Sequence, residues 1–417
     1  MHRTSFTAAR VVCYKGRCAG SWRRTETAMK RFALVAAVAG SLAVGGCSHK
    51  VVVGVALPET GSAAVYGSSI KSGIKLALDE SVRAQTAPAG LDVQYRDSAS
   101  DPALAAAAAD ALYDAGALVV IGGVTSAEAT SMIPVADRWE RVLLSPSASA
   151  PELAKKSVYF FRVFPSDDLE GVKAADLLAI TRNARTVLIV QEDNAYTRGL
   201  LPVFVGEYQS QGGRVVATVR SGEAGWEKAL RDQVAASQPA SIYICGYGDA
   251  TIEVLRVVRS TAYEGTVCVT SAINTATLLQ RAGSLAEGVF LPLSGFDTAS
   301  QQEPVRTFVA RYREVYGMTP DLYAAHGYDA ALATLAALSG LRTRAGSEVQ
   351  LKLKGLSEMR GVTGHLAFDD YGNIKHYPRS HWIRGGKVED YDAYLEREKE
   401  RIRRQMEELM LKGGGPR

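Results

Sequence analysis

Two rhythms of apolar and polar residues alternate along the chain. From Val51 onward, short runs of β-branched and aliphatic residues take turns with longer stretches whose apolar positions recur every three to four residues. The first rhythm suits a strand buried on both faces, the second an amphipathic helix. In order, the pattern predicts a strand over 51–57, a helix over 68–82 and a strand over 91–96. A helix capped by Asp101-Pro102 runs to Asp114, and a strand over 118–121, a helix of roughly ten residues and a strand over 142–144 follow. After a connecting segment at 158–164 a second series begins, with helix 168–181, strand 186–191, helix 196–211, strand 214–219 and helix 226–236. Strand 241–245, helix 249–260, strand 266–269, a short helix near 275–280 and strand 288–291 complete it. Such alternation implies parallel sheets joined by right-handed crossovers, and two series in tandem imply two lobes.

The stretch from Ala117 to Leu153 is the most informative. Gly122 and Gly123 end one apolar strand, and Thr125 and Ser126 then stand where a helix N-cap belongs. The next strand runs into Ser145-Pro146-Ser147-Ala148-Ser149-Ala150-Pro151. Two hydroxyl-rich loops thus follow two successive strands at their carboxyl ends, the edge at which open α/β sheets bind small ligands. Free amides and hydroxyls at a helix start favour an anion such as a carboxylate.

Later segments are too short for a third domain. Helices over 303–316 and 322–338, a polar break at 341–347, a helix over 348–355 and β-rich pieces around 365–368 and 380–383 are expected to return and complete the lobes, which makes several crossing strands a hinge. Asp370-Tyr371-Gly372-Asn373 marks a turn. The stretch 389–412 is dense in charge. Leu395, Ile402 and Leu409 recur every seventh residue with Met406 between, which predicts a solvated helix lying on the body, with a coiled-coil contact as the alternative.

Charge changes the picture only once the N-terminus is set apart. The formal charge is +4, but the first 46 residues hold eight Lys/Arg against one acid, so the remainder carries −3 and offers no basic footprint for nucleic acid. Met29-Lys30-Arg31 followed by an apolar run over 32–44 reads as a secretory signal, too short to span a bilayer. Met29 is read as the true start, which sets aside Cys13 and Cys18. Val44-Gly45-Gly46-Cys47 resembles the lipobox of bacterial lipoproteins, which implies lipidation at Cys47 and a membrane-anchored location on the periplasmic side of the envelope. Cys245 and Cys268 fall inside strands and are expected to be small buried hydrophobes, although an exported protein could bridge them.

Several segments together resemble one family. Val53-Gly54-Val55-Ala56-Leu57 with Gly61 and Tyr66-Gly67, Arg96-Asp97 with Asp101-Pro102, Ile121-Gly122-Gly123 with Ser126, Ser145-Pro146 with Ala150-Pro151-Glu152-Leu153, and Tyr323-Ala324-Ala325-His326-Gly327-Tyr328-Asp329-Ala330 match in order the leucine/isoleucine/valine-binding group of bacterial extracellular solute-binding proteins. The resemblance covers roughly residues 50 to 385. It implies a two-lobed α/β type I periplasmic-binding fold, each lobe a mostly parallel sheet flanked by helices. On that basis 47–163 plus 293–341 form the first lobe and 164–292 plus 342–388 the second, with 1–46 as leader and 389–417 as a charged terminal helix. The implied function is that of an ABC-importer receptor, which captures a branched-chain amino acid or a related carboxylate or amide by hinge closure and presents it to a permease.

Carried over by position, Ser126 would bind the ligand carboxylate, with Ser147, Ala148 and Ser149 adding contacts and Tyr66 flanking the ligand. Tyr196 and Tyr247 would face them from the other lobe, with Tyr323 near the side-chain pocket. One departure matters. The family's amino-acid binders place an acid after the strand at 267–269, and here that position is Ala272. A buried ammonium without a counter-charge is costly. Either Asp249, beside Tyr247, takes over, or the ligand is an organic acid, an amide or an aromatic acid.

Catalytic patterns are lacking in the sequence. No Gly-x-Ser-x-Gly elbow or Walker loop occurs, and the six histidines show no metal-ligand spacing, so neither enzyme activity nor a cofactor or metal is expected. Glu192-Asp193 reads as a solvated turn. A second functional class stays open: a non-transport lipoprotein that uses the same clamp to bind a cell-envelope protein, with the terminal helix as docking arm. Ser48 after Cys47, compatible with outer-membrane sorting in some bacteria, would favour it.

Overall fold

The computed structural model describes residues 50–413. The leader, Met29 and the lipidation position Cys47 lie outside the described residues. Strands β1 (Val51–Leu57), β2 (Leu91–Asp97), β3 (Ala117–Gly122), β4 (Val142–Ser145) and β5 (Phe160–Arg162) form one wholly parallel sheet in the order β2-β1-β3-β4-β5. Its crossovers are α1 (Ala64–Arg83), α2 (Pro102–Asp114) and α3 (Ser126–Trp139). Every residue of β3 and β4 is buried, which is why the two read as uninterrupted apolar runs. The connecting segment at 158–164 supplies the edge strand β5.

The second sheet has the order β12-β11-β10-β9-β8-β6-β7. After α4 (Asp167–Asp176), which ends in a π turn, come β6 (Thr186–Glu192), α5 (Ala195–Ser210), β7 (Arg214–Ser221), α6 (Trp226–Ser237), β8 (Ser241–Cys245) and α7 (Gly248–Arg259). Then follow β9 (Thr266–Val269), α8 (Ala276–Ala282) and β10 (Phe290–Leu293). Cys245 and Cys268 are buried and unbridged. The sheet closes with an antiparallel hairpin, β11 (Arg379–Arg384) and β12 (Lys387–Asp390), turned by Gly385 and Gly386 at φ 55° and 72°. The sequence reading missed β12, a four-residue strand with only two half-buried positions.

Between β10 and β11 the chain returns to the first sheet. Helices α9 (Val305–Tyr316) and α10 (Leu322–Leu338) pack against α1. The α1–α10 crossing is close because Gly73 is bare: a Cβ there would lie 1.9 Å from the Ala324 carbonyl oxygen. Helix α11 (Gly346–Lys354) buries Val349 and Leu353 and packs on α10, β3 and β4. Phe368 meets Phe161 edge-on at 5.2 Å, and Asn373 bridges to Arg162. Most of 342–378 therefore sides with the first sheet, where the expected division put 342–388 in the second lobe. Apolar periodicity marks a face to be buried without naming the sheet that buries it.

The last helix, α12 (Tyr391–Gly413), is rooted rather than laid flat. Tyr391 packs against Phe290 and Trp382 at 5.0 and 4.9 Å, and Asp392 pairs with Lys173 at 3.0 Å. Every residue from Arg401 to Met410 is exposed, which corrects the expectation of a helix lying on the body.

Candidate functional site

The carboxyl ends of β3, β4, β8 and β9 converge on a nearly filled cavity of about 20 Å³, room for about one water molecule. One wall comes from the first sheet: Tyr66 in the first turn of α1, Val124, Thr125 and Ser126 at the head of α3, and Ser147 and Ser149 after β4. Tyr196, Tyr247, Ser271 and Ala272 of the second lobe face them, and Phe164 and Tyr323 close the hinge end.

The serine wall is held by its own hydrogen bonds. Thr125 is the N-cap of α3. Its hydroxyl accepts from the Glu128 amide at 3.2 Å, and the Glu128 carboxylate accepts from the Thr125 amide at 2.9 Å. Ser98 donates to the other Glu128 oxygen at 2.6 Å. Burial pushes the Glu128 carboxyl up, and these donors pull it partly back. The Ser126 hydroxyl accepts from the Ala150 amide at 3.2 Å, and the Ser147 hydroxyl donates to the Val124 carbonyl at 2.7 Å, so the two loops are stitched together. The first amides of α3 have no helical acceptor and leave partial positive charge at this edge.

The aromatic wall is a connected cluster. Tyr196 stacks on Tyr247 at 5.5 Å, Tyr247 lies 5.9 Å from Tyr66, and Tyr66 lies 4.7 Å from Tyr323. Tyr66 also spans the lobes through its hydroxyl, which donates to the Ala272 carbonyl at 2.9 Å and accepts from the Gly248 amide at 2.8 Å. Glu192 is no solvated turn: its carboxylate accepts from the Tyr247 amide at 2.7 Å and fixes the head of α7.

Of the residues singled out in the sequence, Tyr66, Ser126, Ser147, Ser149, Tyr196, Tyr247 and Tyr323 line this cavity. Two do not. The Ala148 side chain is buried in the core beneath the loop, and Asp249 turns outward to pair with Arg281 at 2.6 Å, half exposed. Asp249 therefore does not replace the acid absent at Ala272.

The acids near the cavity are others, which the sequence reading missed. Glu170 of α4 accepts from the Ser271 amide at 2.8 Å, the Ser271 hydroxyl at 2.6 Å and the Tyr196 hydroxyl at 3.3 Å. Asp167, one turn earlier, is 1% exposed, and neither of its oxygens has a well-aligned donor. Burial, joined by the neighbouring Glu170 charge, pushes Asp167 well up. Arg162, wholly buried, donates to Asn373 and to the Ala150 carbonyl and leaves one terminal nitrogen unpartnered. In the sequence Asp167 and Glu170 read as ordinary first-turn helix acids. Among the described residues no cluster of three or more metal-ligating side chains occurs.

A small polar cavity thus lies between two helix-flanked sheets, the architecture of two-lobed binding folds. The chain belongs to the periplasmic binding protein family, whose model matches residues 50–378, and has the type I periplasmic-binding fold. It is similar to Leu/Ile/Val-binding protein homolog 2 of Brucella abortus, 24% identical over 360 residues that cover 82% of this chain and 94% of the relative. The leucine-, isoleucine-, valine-, threonine- and alanine-binding protein of Pseudomonas aeruginosa is 23% identical, over 85% of this chain and 94% of its own. Among solved structures, the branched-chain amino acid transporter substrate-binding protein LivJ of Streptococcus pneumoniae, in complex with isoleucine, superposes with a TM-score of 0.76 at 25% identity, covering 82% of this chain and 98% of that one. These are binding proteins, not enzymes. The family match stops short of α12.

Proposed function

We propose that the protein is the extracytoplasmic receptor of an ABC importer and captures a branched-chain amino acid or a related small carboxylate or amide between its lobes. In this reading the amides and hydroxyls at the head of α3 and the Ser147–Ser149 loop take the carboxylate. Tyr196, Tyr247 and Tyr323 enclose the rest, and closure about the hinge presents the loaded form to a permease. Lipidation at Cys47 would keep the receptor at the membrane. The observation that carries the reading is that one small cavity has serine hydroxyls on one lobe and stacked tyrosines on the other. A ligand touching both stabilises the closed form by its differential contacts alone.

The test is a calorimetric screen of amino acids, amides and organic acids. It should yield a saturable one-to-one binder that also raises the thermal midpoint. Tyr196→Ala should weaken that binder while the protein stays folded. A panel with no binder at all would overturn the reading.

A further inference from the structure

The strands of the first sheet all run in one direction, so their amino ends form one edge, and the cavity lies at the other. Lys50, where the described residues begin, enters β1 from the amino edge. Its carbonyl accepts from the Arg344 guanidinium, and Arg141 donates to the Arg344 carbonyl at 2.8 Å, so the connection between α10 and α11 belongs to this edge as well.

Six cations collect there: Arg83 at the end of α1, Arg141 before β4, Lys155 and Lys156 before β5, and Arg342 and Arg344 before α11. Among the described residues none of the six forms an ion pair, whereas Lys50 and Arg138 at the same edge are paired with Asp92 and Asp110. The acids of the edge outside ion pairs are Asp114, Asp137, Glu140 and Glu348, so six cations face four acids and leave an excess of two. The local sign is thus opposite to that of the chain beyond residue 46, which carries −3. Apolar groups share the edge: Val82, Trp139 and Val158 are 59%, 36% and 62% exposed. Cations interspersed with an aromatic and aliphatic side chains suit a membrane interface.

Resting on the lipid anchor proposed above, we infer that this edge lies on the membrane and takes anionic phospholipid headgroups. Cys47 is three residues from Lys50, a reach of at most about 11 Å, close to the Debye length of about 8 Å at physiological salt. An anchor at Cys47 therefore holds the cations where the surface potential of an anionic bilayer still acts. The Lys and Arg side chains donate to headgroup phosphates, and Trp139 and Val158 rest at the headgroup level. The contact leaves the cavity, at the far edge of the sheet, turned towards the solute.

The experiment takes the lipidated protein as cells make it and reconstitutes it into vesicles of phosphatidylcholine, alone or with about a quarter phosphatidylglycerol. It reads acylation of Lys156 by a water-soluble amine reagent, with Lys228 of the second lobe, 82% exposed, as reference. Lys156 should label several-fold more slowly in the anionic vesicles while Lys228 does not change. At about 1 M salt, where the Debye length is about 3 Å, the labelling of Lys156 should recover. Arg83→Glu combined with Arg342→Glu reverses the charge excess and should abolish the protection; the two side chains make no hydrogen bond among the described residues, so the fold should be kept. An anchored protein whose Lys156 labels equally in both vesicles overturns the inference and leaves the anchor standing. Protection that survives salt or the double variant overturns it too, because something other than anionic headgroups, such as a second copy, then covers the edge. A mass spectrum without lipid on Cys47 overturns the anchor reading and the inference with it. If the double variant does not fold, the salt arm decides.

Discussion

Removing one oxygen atom tests the interlobe clamp directly. Tyr66→Phe keeps the ring, and with it the packing on Tyr323 at 4.7 Å and Tyr247 at 5.9 Å. It deletes the hydroxyl that joins α1 to the Ala272 carbonyl and the Gly248 amide. In the closed form both groups would then be buried without partners, each at about 1–3 kcal/mol, whereas in an opened form water satisfies them. Closing should become less favourable by about 2–6 kcal/mol, which is roughly 30-fold or more in the closed-to-open ratio. Small-angle scattering of the unliganded variant should show a larger radius of gyration. Calorimetry should show weaker binding, because the competent state is populated less. A variant with unchanged scattering and unchanged affinity would show that the Tyr66 hydroxyl does not hold the lobes together.

Further predictions concern α10, its partners and α12. His326 is fully buried beside Phe164, and burial holds its pKa at about 3. The unfolded chain protonates it near pH 6.5 and the folded chain resists down to about 3, so stability falls as pH drops through that window, by up to about 5 kcal/mol. His326→Phe should flatten the loss of the urea midpoint between pH 6.5 and 4; an unaltered slope would contradict this. Burial raises Asp329 to about 6, with the opposite sign: its contribution to stability falls as pH rises from 3.8 to 6. Asp329 accepts from the Val362 and Thr363 amides, both at 2.8 Å, so Asp329→Asn should destabilise by about 2–3 kcal/mol at neutral pH through a mispaired donor, read by denaturant titration. A chain ended after Glu400 should keep its thermal midpoint within about 2 °C, whereas Tyr391→Ala should cost about 3 kcal/mol or more; equal losses from both would mean that the distal half of α12 is not free.

The strands, most helices and the two hydroxyl loops were legible because each is encoded locally. An apolar run buried on both faces needs no partner to be recognised, and Thr125 with Glu128 three residues on is a cap that sequence spacing reveals. The boundaries that slipped have local reasons as well. Helix α1 begins at Ala64, four residues before the expected start, and Gly67 lies inside it where a Cβ would fall 1.9 Å from the Pro58 carbonyl oxygen.

Tertiary structure decided what depends on distance rather than order. Asp249 and Asp167 are both acids in the first turn of a helix. Only the fold turns the first outward to Arg281 and encloses the second behind Ser149. Helix α11 carries a buried stripe that either sheet could have covered, and a bare Gly346 against the Glu140 backbone seats it on the first. Amino-acid order thus determined which faces must be buried and which loops could greet an anion. Side-chain direction and long-range packing determined which acids are buried, because a carboxylate's cost depends on the medium around it and not on its neighbours in the chain.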